Sequence, residues 1–198
     1  MAAKKTKVKV STTPKKTPVA KSAAKPKLVA KPKPVAKPKS ASKGEARSGL
    51  AEGDAGPSFA LPDETGAIVS SASLSGKPYV IYFYPKDDTP GCTKEACDFR
   101  DNLRAFNSHK VRVFGVSPDD PKRHAKFKEK YGLTFTLLSD TEKHLISAYG
   151  IWIKKLNYGR EYMGVQRSTF IIDKTGKIAK AWHGVRVPGH VDAVLASL

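Results

Sequence analysis

The chain has 198 residues and a formal net charge of +18, yet 15 of its 36 Lys and Arg and one of its 18 Asp and Glu fall within residues 1–49. The high pI of about 9.9 therefore belongs to the start of the chain, and residues 50–198 read as one mildly basic globular domain able to bury a core. Two cysteines and five scattered histidines exclude a structural zinc site and a disulfide scaffold, and no apolar run is long enough to span a membrane.

Residues 1–49 are rich in Lys, Ala, Pro, Ser, Thr and Val, contain no aromatic residue, and repeat Val-Ala-Lys-Pro-Lys at 29–33 and 35–39. Like-charge repulsion, frequent proline and few large apolar groups predict an extended, disordered arm, because no core offsets the ordering entropy. It is not a secretory signal, since no apolar stretch follows the charges. Lysine in place of arginine, with many prolines, argues against the amphipathic helix of an organelle transit peptide. Its composition resembles the tails of linker histones and some bacterial nucleoid proteins. The functional reading is non-specific binding of DNA or another polyanion by counterion release. The alternative is a solvated spacer with no dedicated partner.

Beyond Gly49, strands are expected at Ala67–Val69, Tyr79–Tyr84, Val111–Val116 and Phe135–Leu138. Two more, Thr169–Ile172 and Lys177–Trp182, flank an Asp173-Lys-Thr-Gly176 turn and read as a hairpin. Helices are expected over Thr93–Asn107, Pro121–Tyr131, Glu142–Tyr149 and near His190–Ala196. This β-α-β-α-β order, followed by a hairpin and a last helix, predicts an α/β domain with a central mixed sheet flanked by helices. The five histidines, His109, His124, His144, His183 and His190, read as surface or packing residues. The basic run Lys122–Lys130 reads as a solvated helix face.

The chemistry concentrates where the apolar run Val80–Tyr84 meets Pro85, and a polar turn with Thr89, Pro90 and Gly91 leads to Cys92. The helical spacing of Ala96, Phe99, Leu103 and Phe106 places Cys92 in a first helical turn, where free backbone N–H groups and the helix dipole favour an anion. That is a setting for a thiolate and cysteine redox chemistry. Cys97 is the other thiol. With two cysteines, transient redox work in a reducing, cytoplasmic setting is expected rather than a permanent staple. Taken alone, Cys97 could equally be a core thiol, Glu95 an acid favoured near a helix start, and Arg167 a sheet-edge cation.

Pro85-Lys-Asp-Asp-Thr89-Pro-Gly-Cys92 resembles the peroxiredoxin pattern P-x-x-x-T-x-x-C. The longer Tyr-Pro-Lys-Asp-Asp-Thr-Pro-Gly-Cys-Thr string, with Cys97 after it, resembles the peroxiredoxin Q group, also called bacterioferritin comigratory proteins. Tyr158-Gly-Arg-Glu-Tyr-Met-Gly and Gln166-Arg167-Ser-Thr-Phe-Ile-Ile-Asp173 are similar to the same group. Ile153 departs from it, since glycine is expected after the tryptophan. The resemblance implies a thioredoxin-like fold over 50–198 and a monomeric thiol peroxidase without metal, haem or flavin. It implies hydrogen peroxide and organic hydroperoxides as substrates, with thioredoxin or a similar dithiol as reductant. Cys92 would then be the peroxidatic thiolate and Cys97 the resolving thiol. Thr89 would hydrogen-bond the thiolate or a peroxide oxygen, Arg167 would stabilise the thiolate and polarise the peroxide, Glu95 would hold Arg167, and Pro85 would shield the sulfur. Five residues along one helix separate two Cα atoms by about 8–9 Å, whereas a disulfide needs under about 7 Å. The helix start must therefore unwind in each turnover.

Overall fold

The computed structural model describes residues 49–198 other than Tyr158. The expected disordered arm and its polyanion reading thus lie outside the described residues. In chain order the elements are β1 (Ala60–Pro62), β2 (Ile68–Ser70), a 3-10 turn (Ser71–Leu74), β3 (Tyr79–Phe83), α1 (Pro90–Asp101), α2 (Leu103–Ser108), β4 (Arg112–Ser117) and α3 (Pro121–Tyr131). They continue with β5 (Thr136–Ser139), α4 (His144–Ala148), β6 (Trp152–Asn157), β7 (Arg160–Val165), β8 (Ser168–Ile172), β9 (Ile178–His183) and α5 (His190–Leu195).

Five strands form the central sheet in the order β5-β4-β3-β8-β9. β3, β4 and β5 run parallel, and β8 and β9 antiparallel to their neighbours. β3 is the central strand and is buried throughout, which is why Tyr79–Phe83 is an unbroken apolar run rather than an alternating one. Its alternate side chains serve two cores. Tyr79, Ile81 and Phe83 join Phe114, Val116, Phe170 and the α4 residues Leu145 and Ile146 on one face. Val80, Tyr82 and Tyr84 join Phe99 of α1, Phe106 of α2, Phe127 of α3 and Val194 of α5 on the other.

Gly115 on β4 sits directly opposite Tyr82. A Cβ there would lie 2.8 Å from the Tyr82 hydroxyl oxygen and 2.8 Å from Leu137 Cδ2, both fully buried. Glycine at 115 leaves room for the Tyr82 ring, which stacks on Phe99 at 4.5 Å between centroids and so seats α1 on the sheet.

The segment preceding β3 lines both outer edges of the sheet. Near β9, Gly53 N–H donates to the Ile178 carbonyl (2.8 Å) and Ile178 N–H to the Asp54 carbonyl (2.9 Å). Near β5, Asp63 bridges to Leu138, and Leu137 N–H donates to Glu64 Oε2 (3.2 Å).

Three expectations are corrected. The single helix over 93–107 begins at Pro90 and breaks at Asn102, whose side-chain amide donates to the Asp98 carbonyl (3.0 Å) and competes with the backbone ladder. The helix over 142–149 shortens to α4, because Lys143 is left-handed and Asp140 caps the amides of His144 and Ile146. The hairpin β6–β7 was not anticipated. Lys154, Lys155, Arg160 and Glu161 break its apolar pattern, and Leu156, Tyr162 and Met163 are exposed.

Candidate active site

The chain leaves β3 at Phe83, turns through Pro85–Thr89 and enters α1 with Pro90 at its first position and Thr89 as an extended N-cap. Pro90 has no N–H. Those of Gly91 and Cys92 precede the first intrahelical bond, from Thr93 N–H to the Thr89 carbonyl (2.8 Å), so they have no carbonyl partner within the helix. Cys92 is therefore in the first turn, as its spacing predicted, and is 1 % exposed within the cluster containing Tyr82, Tyr84 and Ala96.

Arg167 reaches this point through sheet register. Antiparallel pairing sets Ser168, the first residue of β8, opposite Phe83, the last of β3. The residue before it, Arg167, donates from Nη2 to Cys92 Sγ at 3.1 Å and from Nη1 to Glu95 Oε2. Glu95 lies in the second turn of α1, not the first, and is fully buried. Its Oε1 has no hydrogen-bond partner among the described residues. The guanidinium thus spans a thiol and a carboxylate on the same helix, a task that suits its rigid two-nitrogen fork better than a lysine's single ammonium.

The other expected site residues fall nearby with different contacts. The Thr89 hydroxyl donates to the Lys86 carbonyl (3.2 Å), closing the turn, so its proton is not directed at Sγ. Its lone pairs remain free to accept. Pro85 is exposed at the head of the same turn. Cys97 is free, half-buried and on the same helix as Cys92.

Two groups escaped the sequence. Lys155, on the unanticipated hairpin, donates to the Val165 carbonyl (2.6 Å), two residues before Arg167. Its ammonium is held below the ordinary lysine range by burial and by Arg167, with Cys92 pulling the other way. His124 takes the packing alternative of its sequence reading and is fully buried, between Asp87 Oδ2 (2.8 Å from Nδ1) and the Leu138 carbonyl (3.2 Å from Nε2). A signal for it existed. His124, Phe127 and Tyr131 recur at helical spacing and mark the inward stripe of α3.

Two buried groups make stability depend on pH in opposite senses. Burial pushes the Glu95 carboxyl up to about 7, against the charge and hydrogen bond of Arg167, with Asp98 adding to the rise. The folded state then holds this proton more tightly than the unfolded chain. Glu95's contribution is complete below its ordinary 4.5 and is lost as pH rises through about 7. His190 bonds through Nε2 to Thr169 Oγ1 (2.8 Å). Burial, and then the Arg167 charge, lower it from 6.5 to about 4, so its contribution is complete above 6.5 and lost as pH falls through about 4. The two largely offset each other in the wild type. Denaturant midpoints should therefore show Glu95→Gln losing stability on acidification from pH 7 to 5 and His190→Gln gaining it. The divergence should be on the order of a few kcal/mol. Parallel slopes for the two variants would show that these groups do not titrate as their surroundings dictate.

A first-turn cysteine under an arginine that is itself held by a buried glutamate, on a mixed five-stranded sheet, defines a thiol peroxidase of thioredoxin-like fold. The sequence pattern of the AhpC/TSA family matches residues 53–181, and the chain belongs to that family, among its peroxiredoxin Q or bacterioferritin comigratory members. It is 48% identical to Peroxiredoxin Bcp of Bacillus subtilis over 74% of this chain and 93% of that protein. Peroxiredoxin Bcp of Escherichia coli is 40% identical over 74% of this chain and 94% of its own. Among solved structures, the Xanthomonas campestris bacterioferritin comigratory protein superposes with a TM-score of 0.68 at 40% identity, covering 70% of this chain and 88% of that one. A cysteine-to-serine variant of Xylella fastidiosa peroxiredoxin Q gives 0.72 at 35% identity, covering 76% and 96%.

Proposed function

We propose that Cys92 is the peroxidatic thiolate and Cys97 the resolving thiol of a dithiol-dependent peroxidase acting on hydrogen peroxide and small organic hydroperoxides. The observation that carries the reading is the 3.1 Å approach of Arg167 Nη2 to Cys92 Sγ in the first turn of α1. The thiolate attacks one peroxide oxygen and the O–O bond breaks. The departing alkoxide or hydroxide takes a proton, and the sulfur becomes a sulfenic acid. Arg167 N–H groups and the first-turn amides stabilise the negative charge as it moves from sulfur to the leaving oxygen. Cys97 then condenses with the sulfenic acid, forming an S–S bond and releasing water. An external dithiol returns two electrons and two protons. Organic hydroperoxides find support in the Xanthomonas relative, whose structure was determined with regard to alkyl peroxide reduction.

The test is NADPH-linked peroxide consumption by the full chain with thioredoxin and its reductase. Turnover with both hydrogen peroxide and a small alkyl hydroperoxide is expected. Inactivity with every dithiol tried would remove the reading. Residues 1–49 carry most of the net charge, and we infer that they retain the protein on polyanions. A chain lacking them should keep its turnover and lose salt-sensitive retention on DNA. Equal retention by both chains would leave the arm a spacer.

A further inference from the structure

The disulfide requires α1 to unwind, and α3 holds the chain on both sides of the part that must do so. On the upstream side Asp87, 3 % exposed, accepts from Tyr84 Oη (2.7 Å) and pairs with His124 Nδ1 (2.8 Å), while its own N–H donates to Asp119 Oδ2 (2.7 Å). Both His124 ring nitrogens face oxygens, Asp87 Oδ2 on one side and the Leu138 carbonyl on the other. Arg123, next to His124, ties Asp119 to α3 (3.1 Å). Asp88 follows with φ 56°, a left-handed conformation unusual outside glycine, and is held by Lys130 Nζ (2.8 Å) and the Tyr131 hydroxyl. On the downstream side Arg100 Nη1 donates to the Tyr131 carbonyl (2.6 Å).

His124, Lys130 and Tyr131 all belong to α3, which is capped at both ends, by the Asp120 side chain on Arg123 N–H and by left-handed Gly132. Between the two sets of anchors lie residues 89–99, containing both cysteines. A buried carboxylate is held firmly only while its partner remains, since an unpaired charge in that position is costly. Of the two ion pairs that tie Asp87 and Asp88 to α3, Asp87–His124 is the one buried at both partners.

We propose that Asp87 and His124 are positioning residues. Together with the Asp88 and Arg100 contacts to α3, they confine unwinding to residues 89–99 and return Cys92 to Arg167 when the helix re-forms. This rests on the Cys92–Cys97 disulfide of the proposed function. A brace of this kind supports the peroxide step, which needs Sγ in place, and does not support the condensation, which needs the helix open.

The experiment compares the full chain, reduced and after one equivalent of hydrogen peroxide, by intact mass and by peptide-level hydrogen exchange. The disulfide mass is expected. Peptides within 89–99 should then exchange at least roughly tenfold faster, while 84–88 and 120–131 keep their protection. If the disulfide forms and 84–88 loosens together with 89–99, the brace is overturned and the resolving role of Cys97 stands. If no disulfide forms, both fall. In stopped-flow measurements Asp87→Asn should slow oxidation by peroxide by roughly 10- to 100-fold and leave the condensation equal or faster. His124→Gln, whose amide still donates, should recover part of that loss. Equal slowing of both steps, or of neither, overturns the positioning role.

Discussion

Cys92→Ser is expected to abolish peroxide consumption, by roughly 10⁴-fold or more, since a serine hydroxyl is not ionised at neutral pH and Arg167's other side-chain partner among the described residues, Glu95, is not a thiol. The fold should survive, because serine differs from cysteine by one atom in a cluster dominated by Tyr82, Tyr84 and Phe99. Cys97→Ser should behave differently. It should consume about one peroxide per chain and then stall with Cys92 as a sulfenic acid that a dimedone-type reagent captures. Turnover by Cys92→Ser would refute the assignment of the nucleophile. Sustained thioredoxin-linked turnover by Cys97→Ser, at the wild-type rate, would refute only the assignment of the resolving thiol. Mass spectrometry of the oxidised wild type supplies the third observation, a loss of two hydrogens across the pair.

Arg167→Gln should lower the rate constant for peroxide by about 10²- to 10³-fold, the usual effect of removing one donor aimed at developing charge. Its effect on the fold is separable. Without the guanidinium, Glu95 is a buried carboxylate with an orphan oxygen and no cation, so it should retain its proton to higher pH. Neutralising that oxygen in Arg167→Gln/Glu95→Gln should restore stability relative to Arg167→Gln alone and should not restore the rate. Arg167→Lys keeps the charge but replaces the fork's two separate nitrogens, one on Sγ and one on Glu95, with a single ammonium, so it should stay well below wild type. A normal peroxide rate in Arg167→Gln would mean that the 3.1 Å contact with Cys92 has no part in the chemistry.

Much of the architecture was legible because burial on two faces leaves an unmistakable mark. β3 is a continuous apolar run, β8 ends in one at Phe170–Ile172, and the turn 173–176 between β8 and β9 announces itself with Asp, Thr and Gly. The turn before Cys92 and its first-turn placement were equally local. What sequence periodicity could not supply was distance. Arg167 and Cys92 are 75 residues apart and meet only through the register of β3 against β8; it was the family resemblance that paired them. The hairpin β6–β7 was invisible because its lysines and its outward apolar residues obey no buried pattern, and Lys155 was lost with it. His124 was hidden for a different reason. A histidine inside a basic run looks solvated, and only its phase relative to Phe127 and Tyr131 betrays that it points inward.

The segment that lines both edges of the central sheet lies ahead of every strand that it protects. Residues 53–64 are made early, but their partners at 137–138 and 176–178 emerge from the ribosome much later. Until those long loops close, β5 and β9 each present an open row of backbone groups to any other chain. Self-association during synthesis or refolding is therefore governed by how fast this early stretch docks, and it should be most severe when protein is concentrated and docking is slow.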